Sequence, residues 1–145
     1  MYRRNPDIPE RDYRHKDIVE KLGIKTGLRV AFDPHAGPLD ALLVTRVLEQ
    51  AEESLPEVGQ QVDVVLATVD GTSDAAALLQ RWKRRLASNG GIWLLSAKRG
   101  DAAYVDQRIL IRAGQTAGLV DNKVCSVSDT ISAMRFVIRK QDRLA

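Results

Sequence analysis

The segment Val62-Asp-Val-Val-Leu-Ala-Thr-Val69 constrains this chain more than any other. It is rich in β-branched residues and apolar on both faces, so it does not show the alternation of a strand with one wet side. A strand of this kind must be covered above and below, which is the condition of a central strand in a parallel sheet. Parallel neighbours cannot be joined by tight turns. They need crossover connections, usually helices, and these are right-handed. The chain around residues 62–69 must therefore supply further buried strands and amphipathic helices between them.

It does so. Leu28-Arg-Val-Ala-Phe32 is a short apolar run bounded by turn residues and reads as a buried strand. Pro38 suits the first turn of a helix, where its missing N–H is not needed. Leu39, Leu42, Leu43, Val47 and Ala51 then recur at helical spacing. After the central strand, Thr72 or Ser73 can cap a helix whose buried face is Ala75, Leu78, Leu79, Trp82 and Leu86. Asn89-Gly-Gly91 is expected to stop it, and Ile92 to Ala97 is the next buried strand. Asp101 to Thr116 reads as a helix with Val105, Ile109 and Ala113 in register, broken by Gly118. Val120 to Val127 and Ile131 to Arg139 form a hairpin across Ser128-Asp-Thr130. Upstream, residues 1 to about 11 read as a basic arm, extended or disordered. Asp12 to Leu22 forms a short helix ended by Gly23. The expected organisation is an arm over 1–11 and a single α/β domain over 12–145. Its sheet is open, mostly parallel and Rossmann-like, with helices on both faces and a C-terminal antiparallel hairpin.

Size and composition are consistent with this. A domain near 145 residues buries about 70% of the surface its unfolded chain exposes, enough to need no metal or disulfide staples. No apolar run reaches about 18 residues, so no membrane span is expected. The charged N-terminus lacks the apolar stretch of a secretory signal. The single cysteine, Cys125, cannot pair within the chain, which fits a reducing cytoplasm. A net charge of +3 permits acidic partners without demanding them.

Several segments carry a resemblance. Leu22 to Val30, Val62 to Leu66 and Leu86-Ala-Ser-Asn-Gly-Gly-Ile-Trp93 are similar to the first, fourth and fifth strands of class I methyltransferases with their lead-ins. Residues 113–119 look like the helix and glycine before that family's closing hairpin. Lys21-Leu-Gly-Ile-Lys25, Ala117-Gly-Leu-Val-Asp-Asn-Lys-Val-Cys125 and Met134-Arg-Phe-Val-Ile-Arg-Lys140 resemble a bacterial family catalogued as domain of unknown function 3052. Together these imply a truncated methyltransferase-like fold whose last strand inserts beside its predecessor. The family with unknown function implies no established activity.

The resemblance also defines what is missing. A methyltransferase needs glycines after its first strand, where backbone N–H groups approach S-adenosylmethionine. Here the loop reads Asp33-Pro-His-Ala-Gly-Pro38. In the direct register Pro34, Ala36 and Pro38 stand at glycine positions. A one-residue shift aligns Asp33, Gly37 and Pro38 with the acid, a glycine and a proline, and leaves His35 at the first glycine. There is also little room between residues 55 and 62 for the usual second strand, which ends in an acid for the ribose hydroxyls. S-adenosylmethionine is therefore not expected as a cofactor, and no other cofactor is implied.

Ligands of an open parallel sheet sit at the carboxyl ends of its strands. That edge should gather Asp33, His35, Asp70, Ser96 and Lys98, a set able to hold a polar ligand or exchange protons. The plainer reading is that Asp33 and Asp70 end strands and cap turns. His35 has only His15 as a possible companion, so no metal site is expected. Cys125 reads as a packing thiol, and Trp82 and Trp93 read as core residues. No Gly-x-Ser-x-Gly, P-loop or Cys-x-x-Cys motif is present. Arg81, Arg84 and Arg85 form a candidate basic surface, expected to point away from the Trp82 face, and the arm adds Arg3, Arg4, Arg11, Arg14 and Lys16. Nucleic acid binding uses such clusters, usually with exposed aromatics, but only Tyr2 and Tyr13 are interleaved. The leading expectation is a non-catalytic interaction or regulatory domain with a protein partner. A ligand-binding or enzymatic crevice, including a divergent methyltransferase, comes second, and a nucleic acid binder third.

Overall fold

The structure is a computed structural model in which residues 18–51 and 59–143 are described. The expected arm over 1–11 and the first part of the helix expected from Asp12 lie outside them. Five strands form one sheet: β1 (Val30–Asp33), β2 (Val62–Thr68), β3 (Leu86–Ala97), β4 (Leu119–Ser126) and β5 (Ile131–Ile138). Their spatial order is β1-β2-β3-β5-β4. The first three are parallel, and β5 runs antiparallel to both β3 and β4. The last strand lies beside its predecessor, as the methyltransferase resemblance implies, and the structure inserts it between that predecessor and the parallel strands.

The helices are α1 (described over residues 18–21), α2 (Ala41–Ala51), α3 (Ala75–Lys83) and α4 (Gln107–Thr116). Side chains alternate across β3, and the alternation sorts the core into two layers. Ile92 and Leu94 join Leu78, Leu79, Leu110, Met134 and Phe136 on the α3–α4 face. Trp93 and Leu95 join Ile18, Leu22, Leu43, Val47 and Ala133 on the α1–α2 face. The protein is therefore an α/β fold with helices on both sides of a mostly parallel sheet. Among the described residues no helix is long and apolar enough to cross a membrane.

Several boundaries differ from the sequence reading, each for a local reason. α2 begins at Ala41, where the Asp40 carboxylate accepts from the Leu43 N–H at 2.9 Å, so Pro38 stays in the loop. Only Leu43, Val47 and Ala51 of its apolar positions are buried, while Leu42 is exposed. α3 is capped by Asp74, not Thr72 or Ser73, and it ends at Lys83. Leu86 therefore opens β3, and Asn89-Gly-Gly91 lies inside that strand instead of stopping a helix. The glycines serve close approach. A Cβ on Gly90 would sit 2.7 Å from the Asp63 carbonyl oxygen, and one on Gly91 would meet the Arg135 guanidinium. α4 starts at Gln107 because Asp106 caps it, so residues 101–106 form a turn and an extended lead-in instead of the first part of the helix. The register shifts accordingly: Leu110 and Gly114 face the core, and Ile109 is exposed.

Gly114 marks the tightest contact of α4. A Cβ there would stand 2.5 Å from Cε2 of Phe136, whose side chain is fully buried. The ring has no free volume to move into, so overpacking must strain either helix or strand. Gly114→Ala is expected to lower stability by about 1–3 kcal/mol despite alanine's better helix propensity. Urea denaturation followed by circular dichroism checks this, and a stabilised variant would refute the packing argument.

Candidate functional site

The carboxyl ends of β1, β2 and β3 form the edge where the sequence places a site. The loop leaving β1 does not stand open there. Its Ala36 N–H donates to both the Thr68 carbonyl oxygen (3.1 Å) and Thr68 Oγ1 (3.2 Å) at the end of β2. Thr68 Oγ1 in turn donates to the Gly37 carbonyl oxygen at 2.7 Å. The Gly37 N–H donates back to the Pro34 carbonyl oxygen at 3.3 Å, a turn made possible by a φ of +121° at Gly37. Pro34 and Pro38 bring no N–H at all. Within residues 34–38 the remaining backbone donor is His35.

The candidate side chains are drawn to different partners. Asp33 turns toward α3, where its Oδ2 accepts from Trp82 Nε1 at 2.7 Å and lies 3.7 Å from the Arg81 guanidinium. Asp70 folds into its own turn. Its Oδ1 accepts from the Thr72 N–H (2.9 Å), Thr72 Oγ1 (2.7 Å) and Ser73 Oγ (3.3 Å). These bonds, led by that from the Thr72 hydroxyl, hold the Asp70 carboxyl below its usual range, with a smaller contribution from the charge of His35. His35 itself is exposed. Lys98 reaches the hairpin, where Nζ donates to Ser126 Oγ at 2.6 Å. Ser96 is buried, at 8% exposure.

Two cavities meet at Ser96. One, of about 230 Å³, lies between the 36–40 loop, the ends of β2 and β3, and the hairpin. It is mainly apolar, with Leu43, Val69, Leu95 and Ile131, and includes Asp70 but not Asp33, His35 or Lys98. The other, of about 440 Å³, opens beside the start of α4 and includes Lys98, Arg99, Tyr104 and Arg108. There Asp106 accepts from the Arg108 N–H at 2.8 Å and pairs with its guanidinium at 3.0 Å. These contacts draw the Asp106 carboxyl down to about 2. Among the described residues no group of three or more His, Cys, Asp or Glu is placed to hold a metal ion.

The candidate basic surface is also partly engaged. Arg81 is near Asp33. Arg85 lies over the Trp82 ring, 5.4 Å from its centroid, and donates to the Gln60 carbonyl oxygen at 3.1–3.2 Å. The expectation that all three arginines point away from the Trp82 face therefore fails for Arg85. Trp93 is a core residue, with its Nε1 donating to the Leu22 carbonyl oxygen at 3.0 Å. Cys125 is half-buried and its thiol is pushed up by burial, which suppresses the reactive thiolate. The residue that sequence reasoning missed is Thr68. A threonine closing an apolar strand is ordinary, and nothing local signals that it would bind a loop more than thirty residues away.

Solved structures share this architecture. An O-methyltransferase from Thermotoga maritima, described as SAM-dependent, superposes with a TM-score of 0.63 at 9% identity, over 97% of this chain and 69% of its own. A SAM-dependent methyltransferase from Aquifex aeolicus gives 0.58 at 13% identity, over 92% and 95%. An O-methyltransferase of neocarzinostatin biosynthesis, solved with S-adenosyl-L-homocysteine, gives 0.58 at 12% identity. The match covers 77% of this chain but only 50% of that one. At such identities the likeness is one of fold. No curated protein matches by sequence. The model of a family described as a protein of unknown function, DUF3052, matches residues 19–140, and the chain belongs to that family.

Proposed function

We propose that this protein is a non-catalytic interaction or regulatory module with a methyltransferase-like fold, which does not use S-adenosylmethionine. The observation that carries this reading is the Thr68 clasp. The fold family implies a cofactor bound by the loop after β1 through backbone donors. In this chain the Ala36 and Gly37 N–H groups are spent on protein carbonyls, and two further positions are prolines. A ligand would have to break three or four internal hydrogen bonds to gain the same contacts. The residues present do not fit the cofactor. β1 is also the terminal strand of the sheet, so no neighbouring strand among the described residues offers an acid for the ribose hydroxyls.

A second reading, a small-ligand crevice, is favoured by one observation: Ser96, a buried polar residue, lines both of two adjoining cavities. The engagement of Asp33, Asp70 and Lys98 elsewhere weakens an acid–base role for that crevice. Nucleic acid binding stands third, since Arg81 and Arg85 have protein partners.

Millimolar S-adenosylmethionine is expected to leave the melting temperature unchanged. A cofactor bound only by the folded state would stabilise it by about 2.7 kcal/mol at a hundred times its dissociation constant. A reproducible rise, confirmed by calorimetry, would return the protein to the methyltransferases. The clasp is tested separately by Thr68→Val. Losing the hydroxyl should cost about 1 kcal/mol and speed hydrogen exchange at Ala36 relative to β2. Unchanged exchange there would show that the loop is held by something else. At physiological ionic strength a mobility-shift assay is expected to show no retained complex with DNA or RNA, because few phosphate contacts are available to resist salt.

A further inference from the structure

On the α1–α2 face, toward the amino end of β2, lies a cavity of about 350 Å³ that no part of the preceding reading uses. Four cationic side chains line it: Lys21, Lys25, Lys123 and Arg135. It has one carboxylate, Asp63, whose Oδ2 accepts from the Arg29 N–H at 2.9 Å. The cations come from three distant stretches of sequence, and Trp93 and Leu22 line the same cavity.

Two features show that the cations are placed there by the fold. Lys123 and Arg135 are register partners on neighbouring strands. Like charges directly opposite one another on a sheet are destabilising. The pairing exists because of an irregularity between Asp121 and Lys123, where Asp121 faces Phe136 and Lys123 already faces Arg135. The extra residue, Asn122, resets the alternation, so Lys123 shares a face with Arg135 and not with Asp121. The second feature is Gly91. Arg135 lies so close that a Cβ on Gly91 would be 2.3 Å from its Nε. The bare backbone in β3 is what lets the guanidinium lie against the sheet. Arg135 is half-buried and has no hydrogen-bond or ion-pair partner among the described residues. Burial, followed by the nearby charge of Arg143, makes its protonated form harder to hold than usual. A guanidinium has five donors in a rigid fork, and leaving them unmatched beside like charges is costly.

We propose that this cavity binds the phosphoryl group of a small molecule. A dianion matches an excess of cations over the single carboxylate, and the planar fork of Arg135 can engage two of its oxygens at once. Lys123 and Lys25 add compact charges around it. The cavity volume is that of a small-ligand site, at the low end of about 300–1,000 Å³. The cations converge on one concavity, whereas a nucleic acid backbone requires them along a stripe. The site is at the opposite end of the strands from the Thr68 clasp, so this inference and the cofactor reading stand or fall separately.

The test is calorimetric titration of the full-length chain with inorganic phosphate at constant ionic strength, with acetate as the carboxylate comparison. Saturable millimolar or tighter binding of phosphate, exceeding that of acetate, is expected. Arg135→Met and Lys123→Met should each weaken it about tenfold, the worth of one charge-assisted contact. Arg135→Lys should fall between wild type and Arg135→Met, because it keeps the charge and loses the fork. Gly91→Ala should also weaken binding by displacing the guanidinium. Arg84→Ala, outside the cavity, should leave it unchanged. Lys123 is exposed, so its variant decides the matter if Arg135→Met does not fold. No saturable phosphate binding would overturn the proposal. So would an equal response to acetate, or binding unaltered in the Arg135 and Lys123 variants. Displacement of phosphate by a short single-stranded oligonucleotide at much lower concentration would replace it with nucleic acid binding.

Discussion

The fold depends on β2 and on the carboxyl half of β3 having no face turned to water. Once both sides of a strand are apolar, cover is needed on both sides, and the helices must divide between two layers. Trp93 shows how closely the layers are fixed. Its ring is buried, and an indole N–H buried without a partner would cost about as much as a lost hydrogen bond. It finds that partner in the Leu22 carbonyl, one of the acceptors left unpaired where α1 ends. One contact thus satisfies a donor of the sheet and an acceptor of the helix end, and sets where α1 lies. Trp82 repeats the device on the other face, tying α3 to the end of β1 through Asp33.

What the sequence could convey followed from what is periodic and local. The central strand, the order of strands and helices, the hairpin and both core faces rest on apolar spacing, and the structure has them. The misplacements arise where a local signal has two meanings. Asn89-Gly-Gly91 reads as a helix stop because glycine is rare inside strands. Here the glycines are needed inside one, since Gly90 must pass the Asp63 carbonyl and Gly91 must leave room for Arg135. Residues 101–116 permit two helical phases, one through Val105, Ile109 and Ala113 and one through Leu110 and Gly114. The choice is made by Asp106, which caps α4 at Gln107, and by the Phe136 ring, which only a glycine in α4 can accommodate.

The candidate site was legible as a location but not as an arrangement. That Asp33, His35, Asp70, Ser96 and Lys98 follow the carboxyl ends of strands is a consequence of topology. Where their side chains go is set by partners elsewhere in the chain: Trp82 for Asp33, Ser126 for Lys98, and only for Asp70 the adjacent Thr72 and Ser73. The aspartate turn alone could be read locally, and the plainer expectation of a turn cap describes it. The missing cofactor glycines were visible in the sequence. The clasp that takes up the Ala36 N–H was not, because it joins Ala36 and the Gly37 carbonyl to Thr68.

The two ends of the sheet therefore differ in how their polar groups are satisfied. At the carboxyl end Asp33, Asp70, Lys98 and Asp106 each have protein partners within hydrogen-bond reach. A ligand arriving there competes with bonds already made, and gains only their difference. At the amino end a bulge and a glycine bring Arg135 and Lys123, whose Nζ donates to the Lys21 carbonyl oxygen at 3.3 Å, into one cavity with Asp63 as its single carboxylate. An anion arriving there relieves repulsion as well as forming bonds, so the folded protein has already met part of the cost of the site. Where the loop after β1 is bonded to the end of β2, the more favourable place for a charged ligand is the opposite end of the sheet.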